Sequence, residues 1–328
     1  MNVSEIAKLA GVSSATVSRY FNNGYISNEK REAIRKVVEE TGYRPSVCAQ
    51  TLRTKKTKMI GVIVPKIASD SIGKMVEGIL RALNKSEYQT ILAVTQNNPK
   101  KELEYLTVLN DKQVDGLIFI ATVFSPEHKH LLKNLSVPFV IVGQHFQGHF
   151  CVYHDDYHAS YDLTVHIFGR GKTNLGYIGA ILQDEAVGAS RYHGFCDAVR
   201  DMGYINLTDN LIIADFSVAS GYEKAKELLQ KHPDLDALLC ATDSMAAGAV
   251  QYLSESKISV PDQILVAGHG DSELSKVTSP PFVTVHYSYE KSGETAVQML
   301  LEQLEDKSAA PKEVKLGYFI VDKQKGGF

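Results

Sequence analysis

The chain of 328 residues has no apolar run of the length a bilayer span needs; runs such as "GLIFIA" at 116–121 are strand-sized. Cysteine is sparse. Cys48, Cys151, Cys196 and Cys240 are scattered without any CxxC spacing, which speaks against a disulfide framework and a zinc site and suits a reducing compartment. The first twenty residues carry Glu5, Lys8 and Arg19 where a secretory leader has an apolar core. A cytoplasmic protein with no membrane association is the expectation.

Catalytic signatures are missing as well. There is no GxSxG elbow and no HExxH. "GRGKT" at 169–173 ends like a phosphate loop, but His166 stands where the first glycine is required, and the segment precedes a strand instead of following one. His145 and His149, and His154 and His158, have four-residue spacing, yet "HFQGHF" contains a glycine and reads as a loop, so solvent-facing or internally bonded histidines are the better reading. No enzyme activity, cofactor or metal is expected.

What the chain does contain is ordinary globular composition, 44% hydrophobic and 22% charged, over a length that favours two or three packed units. The charge is unevenly placed. Residues 1–58 hold 11 Lys and Arg against 5 Asp and Glu, and the remainder 24 against 33. A basic head on an acidic body points to a polyanion at one end, or to no more than a solvated charged surface.

The head begins "VSEIAKLAGVSSATVSRYFNN". Ser4 is placed to cap a helix carrying Ile6, Ala7, Leu9 and Ala10, and Gly11 to break it. Ser13 then caps a second helix whose Val17 is expected to turn back on Leu9 and Ala10. Such a pair is a helix-turn-helix. On the second helix Ser14 and Ser18 share one face, and Ala15 and Arg19 its neighbour. Small side chains there let a backbone approach a major groove, where Arg19 can reach a guanine edge and Thr16 or Ser18 a phosphate. Plain helix packing is the competing reading.

The body alternates strand-like runs, "IGVIVP", "TILAVT", "DGLIFIA" and "PFVIVG", then "LGYIGA", "LIIADF", "DALLCA" and "ILVAGH", with helix-length segments. Alternation calls for parallel sheets covered by helices, and two series for two similar lobes with ligand between them at the strand ends. An aromatic such as Phe216 can stack on a sugar face and Arg191 can fork two hydroxyls or a carboxylate. Phe216 reads equally as a core residue, and Arg191 also as a surface ion pair.

"IAKLAGVSSATVSRYFNN", "TGYRPS", "LRTKKTKMIGVIVP", "SRYHGF", "ATDSMAAG" and "SPPFVTVHYS" together resemble the LacI family of bacterial transcription regulators over nearly the whole chain. The resemblance implies a helix-turn-helix head at 1–45, a hinge helix and linker at 46–58, and a body like periplasmic binding proteins. It divides that body into an amino-terminal lobe of 59–157 plus 289–313 and a carboxy-terminal lobe of 158–288 plus 314–328. Crossings between lobes are then expected near Tyr157, His286 and Val314. The DNA-facing set is Ser4, Ser13, Ser14, Ala15, Thr16, Ser18, Arg19, Asn22, Tyr43 and Leu52, the last matching a leucine that wedges into the minor groove in the family. Ser46 and Cys48 depart from the Asn and Ala usual in that hinge. The effector set is Ser69, Ser71, Gln144, Arg191, Phe216, Asp243, His269 and Asp271.

One departure bears on the effector. Where many members have two consecutive acids the chain reads "AGHGDS", so Gly270 stands in the first acid's place. The expected function is a homodimeric repressor of a sugar-utilisation operon, bound to an inverted-repeat DNA operator and controlled by a sugar or sugar phosphate. A sugar sensor acting through a protein partner, or a sugar-metabolising enzyme, are the alternatives.

Overall fold

The computed structural model describes residues 1–43, 56–111, 114–204 and 210–324, which fall into two compact units, Met1–Thr57 and Lys58–Phe328. The expected hinge helix and its Leu52 lie outside the described residues.

Among the described residues the small unit has three helices, α1 (Val3–Leu9), α2 (Ser14–Phe21) and α3 (Asn28–Thr41), around Ile6, Ala7, Val17, Ile26 and Ile34. The cap of α1 is Asn2 and not Ser4: Asn2 accepts from the Glu5 N–H while Glu5 reaches back to the Asn2 N–H. That reciprocal box satisfies two donors that a Ser4 cap would leave open. Gly11 adopts φ +63°, a left-handed turn glycine makes without strain, and Ser13 caps α2 by accepting from the Thr16 N–H. Val17 is fully buried in the cluster with Ile6 and Ala7, against which Ala10 packs as expected; Leu9 is exposed instead.

The large unit holds two parallel sheets. The first runs β11-β5-β4-β3-β1-β2, with β1 (Met59–Val64), β2 (Gln89–Val94), β3 (Gly116–Ile120), β4 (Phe139–Val142), β5 (Cys151–His154) and β11 (Glu313–Leu316). Its central strands are buried on both faces, as covered parallel strands are. Ile60, Val62 and Val64 meet α4 (Asp70–Leu83) and α12 (Tyr289–Glu305), while Ile63, Leu117 and Phe119 meet α5 (Pro99–Asn110) and α6 (Pro126–Lys133). The second sheet runs β7-β6-β8-β9, from β6 (Leu175–Gly179), β7 (Leu211–Ile213), β8 (Ala237–Cys240) and β9 (Leu265–Ala267), with α7 (Asp156–Gly169), α8 (Arg191–Asp201), α9 (Val218–Lys231), α10 (Asp243–Glu255) and the short α11 (Glu273–Val277). An antiparallel pair of β10 (Thr284–Tyr287) and β12 (Tyr318–Val321) joins it through the Ala267–Val283 bridge.

All eight strand-like runs are strands, and the chain passes between the sheets three times. Two passages lie between β5 and α7 and between β10 and α12. The third lies between β11 and β12, since the whole of β11 pairs with β5, Glu313 with Cys151 through Leu316 with His154.

Glycines set the spacing of the helix pair α4–α12. A Cβ on Gly78 would overlap the Glu290 carbonyl, and one on Gly293 the Met75 carbonyl. Backbone cannot retreat as a side chain does, so Gly78→Ala is expected to lower stability by about 1–3 kcal/mol or more, the range for overpacked cores. The urea unfolding midpoint checks it.

Candidate functional site

On the small unit, Ser13, Ser14, Ala15, Arg19 and Asn22 are exposed along α2, with Thr16 and Ser18 half-buried beside them. Thr16 and Ser13 share a hydroxyl contact of 2.9 Å, and Asn22 donates to the Ser18 carbonyl. The Arg19 guanidinium has no ion pair among the described residues, so a cation stands free on a surface of small side chains. Tyr43 is half-buried, its ring 5.7 Å from Phe21 in an edge contact, so it also closes the hydrophobic cluster. Ser4 is exposed in the first turn of α1.

In the large unit a cavity of about 350 Å³ opens at the strand ends of both lobes. Ser69, Ser71, Arg191, Phe216, Asp243 and His269 line it as expected. Gln144 and Asp271 do not. Gln144 is buried behind the wall, donating to the Thr122 carbonyl and to Asp184 Oδ1, both at 2.8 Å. Asp271 turns aside to His286 Nδ1 at 2.9 Å, a direction set by its own left-handed backbone at φ +43°.

Arg191 is committed inside the protein. Its Nε and Nη2 reach Asp156 Oδ1 at 2.7 and 2.6 Å, its Nη1 donates to the Ala241 carbonyl at 2.6 Å, and its guanidinium lies 5.0 Å from the Tyr287 ring centre. The surface ion pair offered as the alternative is not what is found: the pair with Asp156 is buried, and Arg191 also lines the cavity. Asp243 accepts from the Ser272 N–H at 2.8 Å and the Thr284 hydroxyl at 2.5 Å; burial raises its carboxyl above the usual range against those bonds.

Gly268 and Gly270 make room for this carboxylate. A Cβ at 268 would stand 2.7 Å from Asp243 Oδ1, and one at 270 would stand 3.3 Å from Oδ2 on a backbone at φ +140° that only glycine adopts readily. The missing acid at 270 is thus a matter of backbone shape. His269, fully enclosed, hydrogen-bonds the Cys240 carbonyl through Nδ1 at 3.0 Å. Burial holds its pKa well below the ordinary value, so the ring is neutral, Nδ1 is the donor, and Nε2 is a lone-pair acceptor with no partner.

Lys66, Asn97, Asp184, Thr242 and Tyr289 also line the cavity and were not singled out by sequence. The strand-end rule covered Lys66 and Thr242; nothing local marks Asp184. That residue caps the π-helix Glu185–Ser190 through the Val187 N–H and forms a bridge with Val123 of the other lobe. Burial pushes its carboxyl up to about 6.

A folded-state pKa above the unfolded carboxylate value means stability is lost as pH rises from about 4 to 6. Asp184→Asn, which keeps the Oδ1 acceptor, is expected to match the parent near pH 4 and exceed it by about 3 kcal/mol at pH 7.5. Chemical denaturation at the two pH values checks this.

Among the described residues no group of three or more His, Cys, Asp or Glu is placed to hold a metal, and no helix is long and apolar enough to cross a membrane. His158 instead pairs with Asp155 at 2.8 Å, and His145 with Glu313 at 3.0 Å.

Residues 2–46 match the family described as bacterial regulatory proteins, lacI family, and residues 164–324 the periplasmic binding protein-like domain. The chain is 31% identical over 304 residues to the sucrose operon repressor of Staphylococcus xylosus, spanning 93% of this chain and 94% of that one. It is 29% identical over 327 residues to the HTH-type transcriptional regulator RegA of Clostridium saccharobutylicum, spanning 98% of each. In fold it is similar to a Lac repressor dimer bound to operator and the anti-inducer ONPF, with TM-score 0.89, 22% identity and 98% of both chains covered. A CelR–cellobiose complex superposes with TM-score 0.77 at 24% identity, over 99% of this chain and 100% of that one.

Proposed function

Because this chain belongs to the lacI family of bacterial regulatory proteins, we infer that it represses a sugar operon by binding an inverted-repeat operator as a homodimer. A small molecule in the cleft adjusts its hold on DNA. The observation that carries the reading is the free Arg19 on the small-residue face of α2, in a segment with a six-charge basic excess. One α2 reads half a site, so two-fold symmetry in the protein requires it in the operator. An edge of the amino-terminal lobe with exposed Leu80, Ile91 and Leu92 supplies an apolar surface of the kind a second copy covers. The names of the relatives, a sucrose operon repressor among them, support a sugar as effector.

For the ligand to act, it must bind one arrangement of the two lobes better than the other. Asp184 belongs to such a difference, since its bonds to Gln144 and Val123 exist only while the lobes are together.

The test is capture of sheared genomic DNA on the intact protein, with residues 59–328 as control. An inverted repeat enriched by the intact chain alone, and released by salt, is the expected result, since phosphate contacts weaken as counterions rise. Equal enrichment by both proteins, or none with or without a metabolite panel, would sink the reading.

A further inference from the structure

A rigidly mounted carboxylate on one lobe meets a rigidly mounted amide on the other. The Asp184 carbonyl accepts the N–H groups of Gly188 and Ala189, each at 2.9 Å, and its Oδ1 accepts that of Val187 at 3.1 Å. A Cβ on Gly188 would overlap the Ile181 carbonyl, so only glycine lets this turn close so tightly. Gln144 follows β4 in the amino-terminal lobe. Its Nε2 donates both to the Thr122 carbonyl of its own lobe and across the gap to Asp184 Oδ1. Each partner is thus aimed by bonds within its own lobe, and the Val123–Asp184 bridge carries the contact into the backbone.

Contact buries both groups, Asp184 to 3% exposure and Gln144 to 2%. Both donors go to Oδ1, and among the described residues none reaches Oδ2. A buried carboxylate with one oxygen unserved favours the neutral acid, its proton on Oδ2. The Arg191 charge opposes this, but its guanidinium is held by Asp156 at 2.6 Å, and Asp156 adds negative charge of its own. From the amino-terminal lobe the neighbours Thr122, Val123 and Gln144 bring no titratable group. Lys66, Asp70, Asp243, His269, Glu273 and Tyr289 share the cavity wall, and none of them bonds Asp184 among the described residues. When the lobes part, the carboxylate meets water and returns to its ordinary range.

We propose that Asp184 and Gln144 form a proton-linked latch between the lobes: closure takes up a proton on Asp184, so acid favours the closed arrangement whether or not a ligand fills the cleft. Gln144 sets the size of the effect. Its amide serves the charged form and so offsets part of the burial, which keeps closure accessible at neutral pH. The latch belongs to the lobes alone and does not depend on DNA binding; in the regulator inferred above it makes the proton a second effector. Burial holds the closed-state carboxyl at about 6 against about 4 in water. The ratio of closed to open therefore rises as pH falls through 6 and levels off below 4.

The experiment is pulsed electron–electron spin resonance on the full chain, labelled at Lys129→Cys on α6 and Lys226→Cys on α9, both exposed positions. The background carries Cys48→Ser and Cys196→Ser, while Cys151 and Cys240 are buried. Labelled protein is diluted into unlabelled, so that distances within one chain are read, and circular dichroism first shows each variant to be folded. In the parent the ratio of closed to open populations is expected to rise about tenfold from pH 7.5 to 5.0. Asp184→Asn, a fixed mimic of the neutral acid, should be more closed than the parent at pH 7.5 and lose the response. Gln144→Met should be less closed at pH 7.5 and respond by more than the parent, because nothing then serves the charged form. A merely structural Gln144 would shift the ratio equally at both pH values, and that result overturns the proposal. So does a distribution that pH leaves unchanged in both the parent and Gln144→Met, or a response that Asp184→Asn retains in full.

Discussion

Arg19→Ala is expected to weaken operator binding by about 2–6 kcal/mol, since a bidentate contact to one base is worth about 1–3 kcal/mol and a two-fold complex makes it twice. That is roughly thirtyfold to twenty-five-thousandfold in affinity. The loss should be accompanied by relaxed preference at one symmetric pair of base positions, which a phosphate contact would not produce. Stability of the small unit should be unchanged, because Arg19 is exposed and the core rests on Ile6, Val17 and Ile34. Fluorescence anisotropy with the captured operator and single-base variants measures both effects. Uniform weakening across all variants would assign Arg19 to the backbone of the duplex.

Arg191→Ala is expected to destabilise the large unit by about 3–5 kcal/mol, the cost of leaving one member of a buried pair alone. Asp156 is about as buried as Arg191, so its carboxylate would lose the two nitrogen donors that compensate it. The Ala241 carbonyl, on the loop that leads into α10, would lose its Nη1 partner too. Arg191→Lys should recover little, because a single ammonium cannot replace the planar fork. A paired Asp156→Leu, Arg191→Met variant should return most of the stability, since apolar replacements of similar volume leave no buried charge. Urea denaturation of the parent and the three variants compares them; a double variant as unstable as Arg191→Ala would show that Arg191 acts through packing and not through Asp156.

The strands were legible because a parallel sheet covered on both faces needs short, nearly continuous apolar runs, and "IGVIVP" or "DGLIFIA" permit little else. The later strands, β5, β10, β11 and β12, were not. "EVKL" is half-polar and "YFIV" only four residues long, and only pairing partners far away in sequence make them strands. Cavity residues divide the same way. Ser69, Phe216 and Asp243 follow strands and could be placed by rule, whereas the inward Gln144 and the turned-away Asp271 depend on backbone angles and on Asp184, forty residues from Gln144. Ser4 was misplaced because Asn2 and Glu5 form the better cap, a competition between neighbours that the motif by itself leaves undecided.

The third passage between the lobes has a consequence for the order in which the protein can be completed during synthesis. The sheet that β1 begins waits for β11, and α4 waits for α12 to cover it. The four-stranded sheet, by contrast, has all its strands once Ala267 has been made. Although domains usually fold amino-terminal first as they leave the ribosome, here the interior lobe is the first whose sheet is finished. The first lobe must be held open until α12 and β11 have been made. Ribosome-arrested chains ending soon after β10 should therefore yield a protease-resistant fragment from the second lobe and none from the first. Protection of both at that length would show that the first lobe reaches a stable form without α12.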